Sequence, residues 1–421
     1  TSYRFEKIKI GDAEFSRLAT ADANTSAGRN VFYGMAGDLL VFGNDRDAFA
    51  AALGKAADGG LGQGAQFKEL KAMLPWDRAD LTGWINGEAL MKILGSNPML
   101  AQISGMPSKM KTAFTGTIVP LAVLAQFAST ADPANLSPNI KPGALDGLKF
   151  IPSSSLLAAV SRGYDMELVG TELNALMANP MLNAMLGGGS PMNQLEQELG
   201  ISIQNDLIPA LGNESFLSVN GLKLGMLFPC GTKVDLVLGS RLRDAAKMKT
   251  VMQAVEKSIT KKMLASMGSG GTQPTELPEG TGVTGIQHDG VEIRSLPLMP
   301  NISPSYAIAG DYLLIGLSSG AVAAALDRAG SNQGTVLGSP AFQQAIAMMG
   351  DQPLYEFLTL NFARILQNVV QPLLKQMADP QTGQTPMPPA VLEALSHLNH
   401  LTSIQGQKDG KLVGFINLQM Q

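Results

Sequence analysis

The phrase YGMAGDLLVFG at Tyr33–Gly43 returns as YAIAGDYLLIG at Tyr306–Gly316. Nothing else in the sequence constrains the fold as strongly, because a chain that writes one local pattern twice is expected to build one supersecondary unit twice. The match runs on past both phrases. NDRDAFAAALGKA (44–56), GAQFKELKAML (64–74) and ADLTGWINGEALMKIL (79–94) follow the first copy. SSGAVAAALDRA (318–329), SPAFQQAIAMM (339–349) and QPLYEFLTLNFARIL (352–366) follow the second. Phe49 and Leu53 hold the places of Val322 and Leu326, and Phe67 and Asn86 those of Phe342 and Asn361. The spacing drifts slightly between these pairs, as loops joining matching elements allow. Upstream, IKIGDAEFSRL (8–18) resembles IQHDGVEIRSL (286–296).

The unit can be read locally. HDGVEIRSL predicts an Asp-Gly hairpin with an alternating return strand. YAIAGDYLLIG predicts two short strands about a Gly-Asp turn. Ser318 or Ser319 then caps an Ala- and Leu-rich helix, and Asn44 or Asp45 does so in the first copy. A second helix carries Phe67 or Phe342, a strand follows, and a further helix is expected to begin near Asn86 or Asn361.

Between the copies the pattern changes. After the linker SPNIKP (137–142), GLKFIPSSSLLAAVSRGYD (147–165) opens a segment of strands. RDAAKMKTVMQAVEKSITKKML (243–264) predicts an amphipathic helix whose apolar face is Ala246, Met248, Val251, Met252, Val255, Ile259 and Met263. The Gly/Pro-rich stretch 267–282 leads into the second copy. The fold class expected is α+β: antiparallel sheets of short hairpins, helices packed on one side, two related lobes. By the repeat, residues 1–146 are a back half alone. Residues 147–421 are a complete unit, with a front half (147–282) and a back half (283–421). One expectation is that a further front half, with an export signal, precedes Thr1 and covers the strand at Tyr3–Ile10. The other is that 147–282 serves both back halves in one merged domain.

Composition narrows function. Charged residues are 16% of the chain and the net charge is −4. The densest cationic run is KSITKK (257–262), on a predicted helix, so the clustered cations of a nucleic-acid binder are missing. The single cysteine, Cys230, excludes an intrachain disulfide, and its apolar neighbours predict a small core residue. TAFTGTIVPLAVLAQFASTA (112–131) has the length of a membrane span, but its threonines and central Pro120 predict instead a buried helix with a break. No transmembrane span is expected, and membrane contact stays open.

Each pattern with chemical meaning has a plainer rival. GLSSG (316–320) fits G-x-S-x-G between a strand and a helix, which would make Ser318 a nucleophile. Its counterpart GNDRD (43–47) keeps a capping residue and lacks the serine, so a helix cap is the preferred reading. EALSHLNH (393–400) sets Glu393, His397 and His400 on one helical face, a spacing suited to a divalent metal; a solvated helix end explains it equally. No metal or other cofactor is expected. Ser258 to Lys261 matches S-x-x-K without its companion motifs. Met91, Met99, Met106 and Met110, with Met177, Met181, Met185 and Met192, lie in two Gly- and Pro-broken stretches that share NPML. Flexible, polarisable Met suits either irregular core or the mouth of an apolar groove for a ligand or partner.

FIPSSSLLAAVSRGYD, NDLIPALGNESF, and YAIAGDYLLIGLSSGAVAAALDRA with SPAFQQAI resemble a large bacterial family of exported proteins classed only as a domain of unknown function. The resemblance covers most of 147–421, with the tail half matched again in 1–95. It implies architecture and a periplasmic or extracellular location, and carries over no catalytic residue. The expected function is a non-enzymatic structural, scaffold or accessory protein acting through its surface, with a protein partner or self-assembly. The alternatives are a carrier or chaperone for lipid or another apolar small molecule and, least favoured, an esterase-like hydrolase at Ser318.

Overall fold

Alternating strands joined by tight turns favour antiparallel pairing, and the described strands form two antiparallel sheets. The computed structural model describes residues 3–10, 13–20, 31–36, 39–43, 64–86, 111–130, 140–163, 165–167, 170–171, 196–223, 233–267, 282–296, 303–331, 333–377 and 387–420. The chain divides into two compact units, Thr1–Pro75 and Trp76–Gln421.

The first unit holds a four-stranded sheet in the order β1 (Tyr3–Ile10), β2 (Ala13–Thr20), β3 (Val31–Ala36) and β4 (Leu39–Gly43), followed by helix α1 (Ala65–Ala72). Phe15 and Phe32 are its buried aromatics. Among the described residues β1 pairs only with β2. Glu6 lies opposite Arg17, and their side chains bond at 3.3 Å; Lys7 contacts Glu14. Charged side chains of this kind blunt an edge strand.

The second unit contains one antiparallel sheet of 13 strands. Its strands are β5 (Leu81–Asn86), β6 (Lys111–Val119), β7 (Ala122–Ser129), β8 (Leu157–Ser161), β9 (Leu211–Lys223), β10 (Lys233–Leu242) and β11 (Thr284–His288). They continue with β12 (Val291–Ser295), β13 (Ser305–Ala309), β14 (Tyr312–Gly316), β15 (Leu354–Asn361), β16 (Leu398–Lys408) and β17 (Lys411–Met420). The spatial order is β11-β12-β13-β14-β10-β9-β8-β15-β16-β17-β7-β6-β5. Since β7 pairs with β17, the strands within 81–86 and 111–129 join the sheet of the later residues. The compact boundary falls after Pro75, ahead of these strands, and not at the 146/147 boundary expected from the sequence copies.

Turn chemistry sets several registers. Asp289 (φ 47°) and Gly290 (φ 80°) join β11 to β12, and Asp409 (φ 51°) and Gly410 (φ 71°) join β16 to β17. Two positive φ values in a row are what a two-residue hairpin loop needs and what Asp-Gly supplies. Residues 112–131, expected to be a broken helix, are instead the β6–β7 hairpin turning at Pro120 and Leu121. Thr112, Thr115, Thr117, Ile118, Val119 and Val123 are β-branched and fit a pleated surface better than a helix. Leu121 takes the left-handed turn position, at φ 63°.

Three glycines lie under aromatic rings from the neighbouring strand. Gly83 pairs with Phe114, Gly239 with Phe216 and Gly414 with Phe127. A Cβ at these positions would fall 2.0–2.1 Å from the ring. The missing side chain makes the space in which each ring lies flat on the sheet.

Helices cover both faces around β14, where one-sided packing was expected. On one face α2 (Ala245–Met267) buries Met248, Val251 and Met252 against Leu242, Tyr306 and Leu313. Side chains alternate along a strand, so Tyr312, Leu314 and Gly316 point to the other face. There α3 (Ser319–Ser331) brings Val322 against Gly316, and a 3-10 turn at Asp146–Phe150 covers Tyr312. Helix α4 (Pro340–Met349) packs on β16 and β17, and its Phe342 meets Phe357 edge-on at 5.0 Å.

Candidate functional site

Two buried carboxylates lie at the centre of the described polar structure, one on each face of the sheet. Glu214 projects from β9 and is fully buried. Its Oε1 accepts hydrogen bonds from the Gly147 amide (2.6 Å) and the Tyr312 hydroxyl (2.7 Å), and its Oε2 faces Arg162 Nη1 at 3.3 Å. Burial pushes the carboxyl above its ordinary range, against the pull of Tyr312, Gly147 and Arg162. Burial likewise raises the Tyr312 phenol. Phe150, Phe216 and Tyr312 form an aromatic wall beside it, with the Lys149 ammonium 5.2 Å from the Phe150 ring centre. Arg241 ties the wall together, bonding Asp311 at 2.8 Å and Asp146 at 3.1 Å.

Glu256 descends from α2 on the opposite face. Arg294 grips it with two bonds, Nε to Oε1 and Nη2 to Oε2, both 2.7 Å, and the Tyr306 hydroxyl donates to Oε1 at 2.8 Å. Burial works to raise this carboxyl, but the bonds from Arg294 and Tyr306 outweigh it and hold the group below its usual value. An open groove of about 630 Å³ runs beside this triad, lined by Lys257, Lys261, Leu264 and Val283 among others. Both carboxylates thus direct their oxygens at donors of this same chain. That arrangement fixes helix and loop on sheet.

The sequence-predicted positions fall elsewhere. Ser318 Oγ accepts the Ala321 amide at 3.2 Å, and its carbonyl accepts from Val322, the geometry of an N-cap. Asn361 does the same for the helical run Phe362–Ile365, accepting from Arg364 at 2.9 Å. Glu393 belongs to α5 (Pro389–Ser396), which ends before either histidine. His397 is the cap residue and His400 lies on β16, its Nδ1 2.9 Å from Asn399. The helical face expected to unite the three is therefore broken: β17 pairs with Leu398–Lys408 and draws those residues into the sheet. His400 is held below the usual histidine value, first by burial and then by Arg364. Met91, Met99, Met106, Met110, Met177, Met181, Met185, Met192 and Cys230 lie outside the described residues.

One cluster was missed. His288 Nε2 bonds Asp327 Oδ1 at 2.6 Å, and Asp289 adds a third ligand atom within 4.8 Å of both. His288 and Asp289 were visible only as a turn, and Asp327 comes from α3, so no sequence spacing joins them. The His288–Asp327 bond also latches the β11–β12 turn to that helix, beside an open groove of about 450 Å³.

No family model, curated protein or solved structure matches the chain. Any functional reading therefore rests on the molecule's own surfaces.

Proposed function

We propose that this chain is a non-enzymatic structural or accessory protein, exported to the periplasm or cell exterior, that carries two copies of one strand–helix unit and works through its sheet surface. The observation that carries the binding role is at one end of the large sheet. Leu81 on β5 is 62% exposed, Ile118 on β6 70%, and Leu121 in the β6–β7 turn 62%. Apolar side chains gathered at a sheet end mark a contact surface for another protein.

The duplication rests on hydrogen-bond register. Phe32–Gly43 through Ala36–Leu39 pair across β3 and β4, and their counterparts Ser305–Gly316 through Ala309–Tyr312 pair across β13 and β14. Ile10 opposes Ala13 as His288 opposes Val291. Asn86 opposes Lys111 as Asn361 opposes His400, and the β6–β7 and β16–β17 hairpins close on matching pairs, Val119–Ala122 and Lys408–Lys411. Chance pairing would not keep four registers in step, because a one-residue slip turns every side chain to the other face.

Native mass spectrometry of the chain from its source tests the role. The expected result is a protein partner or self-assembly that is lost on Ile118→Lys with Leu121→Lys. Stoichiometric lipid retained by both forms would favour a carrier, and fluorophosphonate labelling at Ser318 would favour a hydrolase.

A further inference from the structure

We infer that the outer edge of β5 is a docking site for a partner polypeptide that adds one antiparallel strand with the chemistry of β8: short, uncharged, alternating small and branched apolar residues. This rests on the duplication proposed above. In that reading β5-β6-β7 repeats β15-β16-β17, so the partners of β15 say what β5 should have. On one side β15 pairs with β16, as β5 pairs with β6. On its other side β15 pairs with β8, from Glu356–Ser161 to Leu360–Leu157. Among the described residues β5 ends the sheet, and no strand takes the β8 place.

Side-chain exposure fits the vacancy. Glu356 and Leu360, beside β8, are only partly exposed, whereas Leu81 and Ile85, which take their positions on β5, are exposed. The β5 edge also lacks the usual defences of an open strand. LTGWIN carries no charge, no Pro and no irregularity in its pairing to β6, whereas β1 protects its own edge with Glu6, Lys7 and Lys9. Among the described residues the four-stranded sheet of the first unit ends similarly on β4, which holds the place of β14 with no strand in the place of β10. A strand that adds to such an edge gains affinity from main-chain bonds and specificity from alternate side chains.

The pairing predicts atoms. Asn361 donates its amide to Leu156 and Tyr355 accepts from Arg162, so the β15 groups aimed at β8 alternate through Tyr355, Phe357, Thr359 and Asn361. Their β5 counterparts include Thr82 and Asn86, whose amides should receive the partner. Gly83 and Ile85 point theirs at β6. Ile85 then opposes the partner residue equivalent to Leu157, in the closely spaced type of antiparallel pair.

The probe is the peptide PSSSLLAAVSRG, the sequence of Pro152–Gly163, added in large excess to the full chain. Hydrogen exchange is read at single-residue level. In the free chain Gly83 and Ile85 should be protected by β6; if they are not, the β5–β6 ladder and the duplication both fail. With peptide, Thr82 and Asn86 should slow by about tenfold or more. In a Cys230→Ser background and a glutathione buffer whose oxidised form takes up the two electrons, Ile85→Cys should form a disulfide with peptide carrying Cys at the Leu157 position, and far less with Cys at the Ala158 position. Protected Gly83 and Ile85 with no slowing at Thr82 and Asn86, or equal capture by both peptides and a scrambled one, overturns the docking site alone. Protection of Thr82 and Asn86 that rises with protein concentration in the absence of peptide would show a second copy as the occupant and also overturn it.

Discussion

Replacing each buried carboxylate by its amide should give opposite pH dependences, and the sign follows from the contacts. Glu256 is held below its ordinary value of 4.5, so its contribution to stability is present above that value and is lost as pH falls through the folded-state value. Glu214 is raised, so its contribution is fully present below the ordinary range and is lost as pH rises through the elevated folded-state value. In Glu256→Gln the amide keeps one acceptor oxygen for Tyr306 or Arg294 and loses the second charged bond, while Arg294 retains Glu292 at 3.0 Å. One charge-assisted bond partly open to water amounts to about 2 kcal/mol, to be reached near neutrality. The assay is urea unfolding of wild type, Glu256→Gln and Glu214→Gln, from about pH 3 to about pH 8. The wild-type advantage over Glu256→Gln should shrink toward acid, and its advantage over Glu214→Gln should shrink toward alkali. Differences that run flat, or slopes of one sign for both variants, would refute the reading of these two sites.

Other expectations are direct. Leu121→Gly should stabilise the β6–β7 hairpin by about 1 kcal/mol, because a left-handed residue with a side chain is strained there; thermal unfolding checks it. Gly239→Ala should cost about 1–3 kcal/mol by driving a methyl into the Phe216 ring, and most of that should return in Gly239→Ala with Phe216→Leu. Ser318→Ala should lower stability by about 0.5–2 kcal/mol through the lost cap, with no change in fluorophosphonate labelling of the chain. Glu393→Ala and His397→Ala should leave the zinc content by elemental analysis unchanged, since His400 lies on a strand apart from their helix.

What could be read ahead depended on how local the cause was. Asp289-Gly290 and the alternation of VEIRS specify a hairpin within a few residues, as do Ser318 and Asn361 their helix starts, and these were legible. The hairpin within 112–129 was not: an uncharged run shows no polar alternation, and its β-branched residues were outweighed by its length and central Pro120. EALSHLNH has helical spacing throughout, yet the ladder to β17 overrides it after Ser396. Glu214 and Glu256 had no signal, because their partners, Gly147, Tyr312, Arg294 and Tyr306, come from distant segments. Glu256 looked like one more solvent-facing charge on an amphipathic helix.

The β7–β17 ladder has a consequence for how the chain reaches its fold. Gln126 pairs with Phe415, so this seam closes a loop of roughly 290 residues, a slow and entropically demanding contact. On the ribosome, β5–β7 can form as a meander long before Lys411–Met420 has been made. Throughout that interval the Ala122–Ser129 edge awaits its mate, and a neighbouring nascent chain offers the same strand. The seam is therefore where assembly can go astray, by two half-made chains trading partners. Slower synthesis through 130–400 would lengthen that exposure without altering the final molecule at all.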